Sequence, residues 1–189
     1  RFRARVGAYE EALAGLRLLR DRGIKVGVRF TMTEDNAAEL PRLLELVETE
    51  GFLKFYLSHL VYAGRGNKNR GTDAEWQTTR DAMDMVIERA WRWAQADSEM
   101  EIVTGNNDAD AIYLLQWAQR NVPHAVDSLR QKLIRWGGNS SGVNVANIDN
   151  LGNVHPDTMW WHYTLGNVRQ RPFSEIWPDV SDPVMAGLK

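Results

Sequence analysis

Cysteine is absent from the 189-residue sequence. That excludes disulfides, a thiolate nucleophile and any thiolate-ligated metal centre built from this chain alone. Charge of one dominant sign is also lacking: 23 Lys and Arg against 25 Asp and Glu leave a net −2 at pH 7. Neither nucleic acid nor a membrane surface is expected as a partner. No apolar run approaches the ~20 residues of a membrane span, and no signal peptide is visible, so a cytoplasmic location is expected. The short catalytic signatures HExxH, GxSxG, GxGxxG and the phosphate-binding P-loop are missing. The histidines, at positions 59, 124, 155 and 162, show no tight metal spacing. An initiator methionine is missing too. The chain opens on RFRARVGAYE, directly into a helical pattern, and closes on DPVMAGLK part-way through another. An internal piece of a longer protein is the expectation.

What is present is an ordinary globular composition, 43% hydrophobic and 25% charged. Helical spacing of Ala12, Leu13, Leu16 and Leu19 predicts a helix from Tyr9 to Arg22, with Gly23 as its stop. Residues 24–31 (IKVGVRFT) read as a buried strand. A helix from about Ala37 to Thr49, capped by Thr33, Asp35 or Asn36, faces inward through Leu40, Leu43, Leu44 and Val47. Gly51 ends it, and residues 52–62 (FLKFYLSHLVY) form a second strand. This βα rhythm is that of a parallel sheet or barrel.

Residues 63–73 (AGRGNKNRGTD) read as a polar, Gly- and cation-rich loop that interrupts the rhythm. Then come a long helix from about Ala74 to Ala96, a short strand at 101–104, a helix from Asp108 through Trp117, and a helical stretch at 123–136. Gly137 and Gly138 break the last. VNVANIDNLGNVHPDTMWW, from Val143 to Trp161, predicts two strands around a turn supplied by Asp149, Asn150 and Gly152.

Ligands of parallel α/β folds sit at the carboxyl ends of the strands. Those ends are Arg29, Thr31 and Thr33 on the first strand, and Ser58, His59, Leu60 and Tyr62 on the second. Thr31 and Thr33 also suit the start of the next helix, and His59 suits a hydrogen-bonded core. Arg29, in a strand read as buried, requires a partner, because an unpaired buried charge costs several kcal/mol. Arg65, Lys68 and Arg70, among glycines, suit a carboxylate or phosphate, or simply a solvated surface. Asn106, Asn107, Asp108 and Asp110 fit a helix cap, with a polar-ligand role as the alternative.

Composition and spacing stop at a βα barrel portion with a basic loop and an appended hairpin. Longer phrases go further. The order GAYEEALAGLRLLRDRGIKVGVRFTMTEDN, then FYLSHLVYAGRG, resembles the second half of a barrel of the radical S-adenosylmethionine (SAM) family. The tail GVNVANIDNLGNVHP…LGNVRQRPFSEIW resembles the SPASM or twitch extension of that family. YLSHLVYAGRGNKNRG, ERAWRWAQ, EIVTGNNDAD and GNVHPDTMWWHYTLGNVR resemble its members in heme d1 biosynthesis, over essentially the whole chain.

The resemblance implies an α/β fold: the C-terminal part of a partial (β/α)6 barrel over residues 1–66, a mostly helical connection over 67–136, and a truncated hairpin extension over 137–189. It implies a radical oxidoreductase or lyase when full length, with SAM and [4Fe–4S] clusters as cofactors and all cluster ligands outside this chain; this portion alone would be inactive. The implied reaction removes propionates from a siroheme-derived tetrapyrrole, didecarboxysiroheme, through a 5′-deoxyadenosyl radical, with a flavodoxin or ferredoxin as reductant. Arg3, Arg29, Thr31, His59 and Leu60 would hold the cofactor; Tyr62, Arg65, Lys68 and Arg70 would hold substrate carboxylates. Other SPASM proteins carry a cluster-binding cysteine where this chain has His155, Pro156 and Asp157; the resemblance places HPD there in the heme d1 members. Two rival readings are a SPASM enzyme acting on another heme precursor or a peptide, and a non-catalytic scaffold module without clusters.

Overall fold

The computed structural model describes residues 6–189. The chain divides into two compact units at Asp127/Ser128, rather than at the expected boundaries near 66 and 136. The reason lies in the strand at 101–104. The sequence reading left it outside the barrel, yet it pairs in parallel with the strand before it.

In the first unit, helix α1 (Ala8–Arg20) leads to strand β1 (Gly27–Thr31). A single 3-10 turn at Ala37–Glu39 runs into helix α2 (Leu40–Glu50), which ends at Gly51 in the left-handed region, φ 64°. Strand β2 (Lys54–Ser58) follows. The cation-rich stretch is not a loop: it folds into helix α3 (Arg65–Lys68) and a 3-10 turn at Arg70–Thr72. The backbone amide of Glu34 donates to Thr72 O at 2.9 Å and pins that turn beside the end of β1. Helix α4 (Trp76–Gln95) then returns to strand β3 (Glu101–Gly105), and helix α5 (Ala109–Asn121) closes the unit.

The three strands form a parallel sheet in the order β1-β2-β3. Side chains alternate across it. On one face Phe55 and Leu57 are fully buried with Leu40, Leu44 and Val47 of α2 and Met83, Val86 and Ile87 of α4. Burying one such side chain stabilises the fold by ~1.5–3 kcal/mol. Glu48 clamps α2 to α4, accepting from Trp93 Nε1 at 2.6 Å and from Arg89 at 2.5 Å. Trp93 is the buried residue on that turn.

The opposite face is polar, and among the described residues no helix packs over it. It presents Lys54 and Glu101, then Arg29, Tyr56 and Val103, then Thr31, Ser58 and Gly105 in register. Lys25 and Lys54 each lie 3.2 Å from Glu101, which holds its carboxyl below the usual range, the hydrogen bond from Lys25 contributing most. Helices on one face and a polar row on the other are the outside and lumen of a βα barrel. β1 differs from its expectation as a buried strand: among the described residues it pairs on one side only, and Gly27 and Arg29 are exposed.

The second unit begins with most of helix α6 (Val126–Trp136). Strands β4 (Asn147–Ile148), β5 (Asn153–His155) and β6 (Gly166–Asn167) form an antiparallel sheet in that order. The predicted hairpin is therefore present, shorter than read, with a third strand from the LGN phrase. Its turn closes through Asp149, whose side chain accepts from Leu151 N at 2.9 Å and Asn153 N at 2.8 Å. Gly152 supplies the required φ of 90°. Helix α7 (Phe173–Ile176) precedes Trp177, as the resemblance implied, and helix α8 (Pro183–Leu188) is capped by Asp182. Val154, His155, Ile176 and Met185 form the core.

Candidate functional site

Two side chains converge on the Ser58 hydroxyl at the carboxyl end of the sheet. Ser58 Oγ, almost fully buried, accepts from Arg29 Nη2 at 3.2 Å and from Asn106 Nδ2 at 2.7 Å. Arg29 also stacks over Tyr56, its guanidinium carbon 4.7 Å from the ring centroid. Burial does not force this pairing, contrary to the expectation for a buried strand, because Arg29 is exposed among the described residues. Among the described residues, a single hydrogen bond and one ring leave most of its donor N–H groups open on the lumen face. Asn106, with a positive φ of 72°, reaches back from the end of β3 because its local turn needs a residue tolerant of the left-handed region.

His59 and Leu60 continue the site into a cavity of about 660 Å³. His59 Nε2 lies 2.9 Å from Asp110 Oδ2, with both side chains nearly buried. The cavity is further lined by Tyr62, Asp73, Trp76, Arg80, Met83 and Tyr113. Tyr62 donates to Asp73, which pushes its phenol above the usual range.

Thr31 is partly buried at the end of β1; its carbonyl accepts from Asn36 Nδ2 at 3.0 Å. Thr33 is buried, and its backbone amide donates to Asn36 Oδ1 at 2.8 Å. The helix-start reading of these threonines therefore describes their backbones. Arg65, Lys68 and Arg70 are all exposed; Arg70 stacks over Tyr62 at 4.5 Å, while Arg65 and Lys68 stand apart from the cavity lining. Arg3 lies outside the described residues. Ser58 and Asn106 were visible as a strand end and a helix start, but their meeting was not: 48 residues separate them.

The donor set suits a ligand with a carboxylate, hydroxyls and an apolar heteroaromatic portion, as SAM has: open guanidinium N–H groups, a serine, an asparagine and Leu60. The chain has no thiolate, and among the described residues no group of three His, Asp or Glu side chains could hold a metal ion. His155, in the hairpin position of the missing cysteine, is a core residue: Nδ1 donates to Tyr163 O at 2.6 Å. Asp157 accepts from Ser141 Oγ at 2.8 Å and Met159 N at 2.7 Å, so HPD closes the turn itself.

This arrangement is a parallel sheet with helices on one face, as in part of a βα barrel, and the chain continues into a β extension. The fold also matches a crystal structure of Streptococcus suis SuiB bound to precursor peptide SuiA, at TM-score 0.64 and 12% identity, over 95% of this chain and 38% of that one. No family model matches the chain. It is 60% identical over 190 residues to pre-heme d1 synthase of Dinoroseobacter shibae, across 100% of this chain and 47% of that protein. To Fe-coproporphyrin III synthase of Methanosarcina barkeri it is 40% identical over 189 residues, again 100% of this chain and 47% of that protein. An AdoMet-dependent heme synthase of Nitratidesulfovibrio vulgaris is 26% identical over 93% of this chain and 46% of its own length. The likeness to the radical SAM protein of heme d1 biosynthesis thus runs along the entire chain, which spans about half the length of these relatives.

Proposed function

We propose that this chain forms the later barrel strands and the extension of a radical SAM enzyme of heme d1 biosynthesis that removes propionate side chains from a siroheme-derived tetrapyrrole. The supporting observation is 60% identity to a pre-heme d1 synthase along the full chain. SAM and a [4Fe–4S] cluster, when bound, supply the radical that takes hydrogen from the propionate. This chain's residues bind and orient. Arg29, Thr31, His59 and Leu60 hold the cofactor from the strand ends, with Ser58 fixing the Arg29 head. Tyr62, Arg65, Lys68 and Arg70 meet the carboxylates of the substrate at the barrel mouth. Trp76 and Met83 supply apolar surface to the cavity between them.

The cluster ligands come from cysteines beyond this chain, and electrons from a flavodoxin or ferredoxin. None of the described helices is long and apolar enough to cross a membrane, and the reading places the enzyme in the cytoplasm. The 40% identity to an Fe-coproporphyrin III synthase supports a second reading, the same chemistry on a different carboxylated heme precursor. Anaerobic turnover of the complete protein with didecarboxysiroheme decides between them. Loss of two propionates, followed by mass spectrometry, is the expected result. Turnover of another heme precursor in its place favours the second reading, and cleavage of SAM with neither leaves both without support.

A further inference from the structure

One cation in the cavity has no assigned task. Arg80, one turn into α4, sits with its guanidinium carbon 5.4 Å from the Trp76 ring and 5.8 Å from the Tyr113 ring. Its guanidinium has no hydrogen-bond or ion-pair partner among the described residues. The acidic groups around it are already engaged. Asp73 accepts from Tyr62 and from Ala74 N, Asp110 pairs with His59, and Asp84 accepts from the Tyr113 phenol at 2.9 Å. Trp76 is 70% exposed at the cavity wall. A large indole left open beside an unpaired guanidinium offers a flat stacking surface and a planar fork for a carboxylate at one place.

We propose that Arg80, held between Trp76 and Tyr113, binds a carboxylate of a flat polycarboxylate ligand whose ring lies against Trp76. The two aromatic rings fix the guanidinium before the ligand arrives, so little freedom is lost on binding. This inference rests on the tetrapyrrole reading above and narrows it: the principal anion contact is Arg80 at the cavity wall, exposed like the cations of the α3 segment but held between two rings, and those cations are secondary.

The test uses the complete protein and two probes, coproporphyrin III and its tetramethyl ester, with binding followed by the porphyrin absorbance shift. Arg80→Gln is expected to weaken the free acid by about tenfold or more and to leave the ester unchanged, because only the acid offers a charged fork. Trp76→Ala is expected to weaken acid and ester alike. Equal acid affinity in Arg80→Gln and the parent overturns the inference and leaves the functional reading standing. Equal loss of acid and ester in Arg80→Gln also overturns it. No porphyrin binding by the parent protein sinks the functional reading, and this inference with it. Should Arg80→Gln fail to fold, Arg80→Lys carries the same comparison: weakened acid with unchanged ester supports the site, and unchanged acid affinity rejects it.

Discussion

His59 and Asp110 meet at 2.9 Å across 51 residues, tying the end of β2 to the first turn of α5 at the wall of the cavity. Each side chain is nearly buried, so each needs the other. Replacing Asp110 by Ala leaves the imidazole unsatisfied and is expected to destabilise the first unit by about 1–3 kcal/mol. Asp110→Asn keeps an acceptor and should lose less. Urea denaturation of both variants measures this, and an Ala variant as stable as the parent would remove the pair from the architecture.

Arg29 is expected to act on the ligand more than on the fold. It is exposed, with one hydrogen bond and one ring contact, so Arg29→Ala should change thermal stability little. Loss of a charge-assisted contact of ~1.5–3 kcal/mol should weaken SAM binding in the complete protein by roughly ten- to a hundredfold. Collapse of the melting temperature with unchanged cofactor affinity would show that Arg29 is structural instead.

The α3 segment should contribute less than its charge count suggests. Arg65 and Arg70 are solvated, and exposed ion pairs are worth ~0.2–1 kcal/mol. Arg65→Ala and Arg70→Ala are each expected to weaken tetrapyrrole binding by no more than about fivefold at low salt, an effect that fades as salt rises. SAM cleavage without substrate should stay nearly intact. Unchanged tetrapyrrole affinity in both variants would mark the segment as surface only.

Acid should loosen the β extension through Asp149. Its carboxyl is held down to about 2 from 3.8, first by the side-chain amide of Asn153, then by the backbone amides of Asn153 and Leu151 and by His155, against the opposing effect of burial. Asp179 is held to about 2 as well, by Ser181 and Arg171. A depressed carboxylate pKa stabilises the fold above the unfolded value and loses that contribution as pH falls through the folded one. Stability should therefore drop between about pH 4 and pH 2. Asn at position 149 still accepts from two backbone amides, so Asp149→Asn should fold and show a flatter acid limb in thermal midpoint against pH. An unaltered limb would assign the loss to Asp179 or elsewhere.

Much of this was legible in the sequence. Leucine spacing gave α1 and α2, β-rich runs gave β1 and β2, and Asp149 with Gly152 gave the hairpin turn, because each depends on neighbours within a few residues. Long phrases carried the family likeness. Tertiary pairing decided the rest. β3 belongs to the parallel sheet because its backbone meets β2 in register, which no local pattern in EIVTG announces. The cation-rich loop became helical turns because Glu34 N reaches Thr72 O, 38 residues on. Arg29 is open rather than buried among the described residues, where β1 pairs on one side only. The meeting of Ser58 with Asn106, of His59 with Asp110, and of Arg80 with Tyr113 each joins separate elements. Sequence spacing fixes which face of an element a residue occupies, but contact between elements is set by how their buried faces pack.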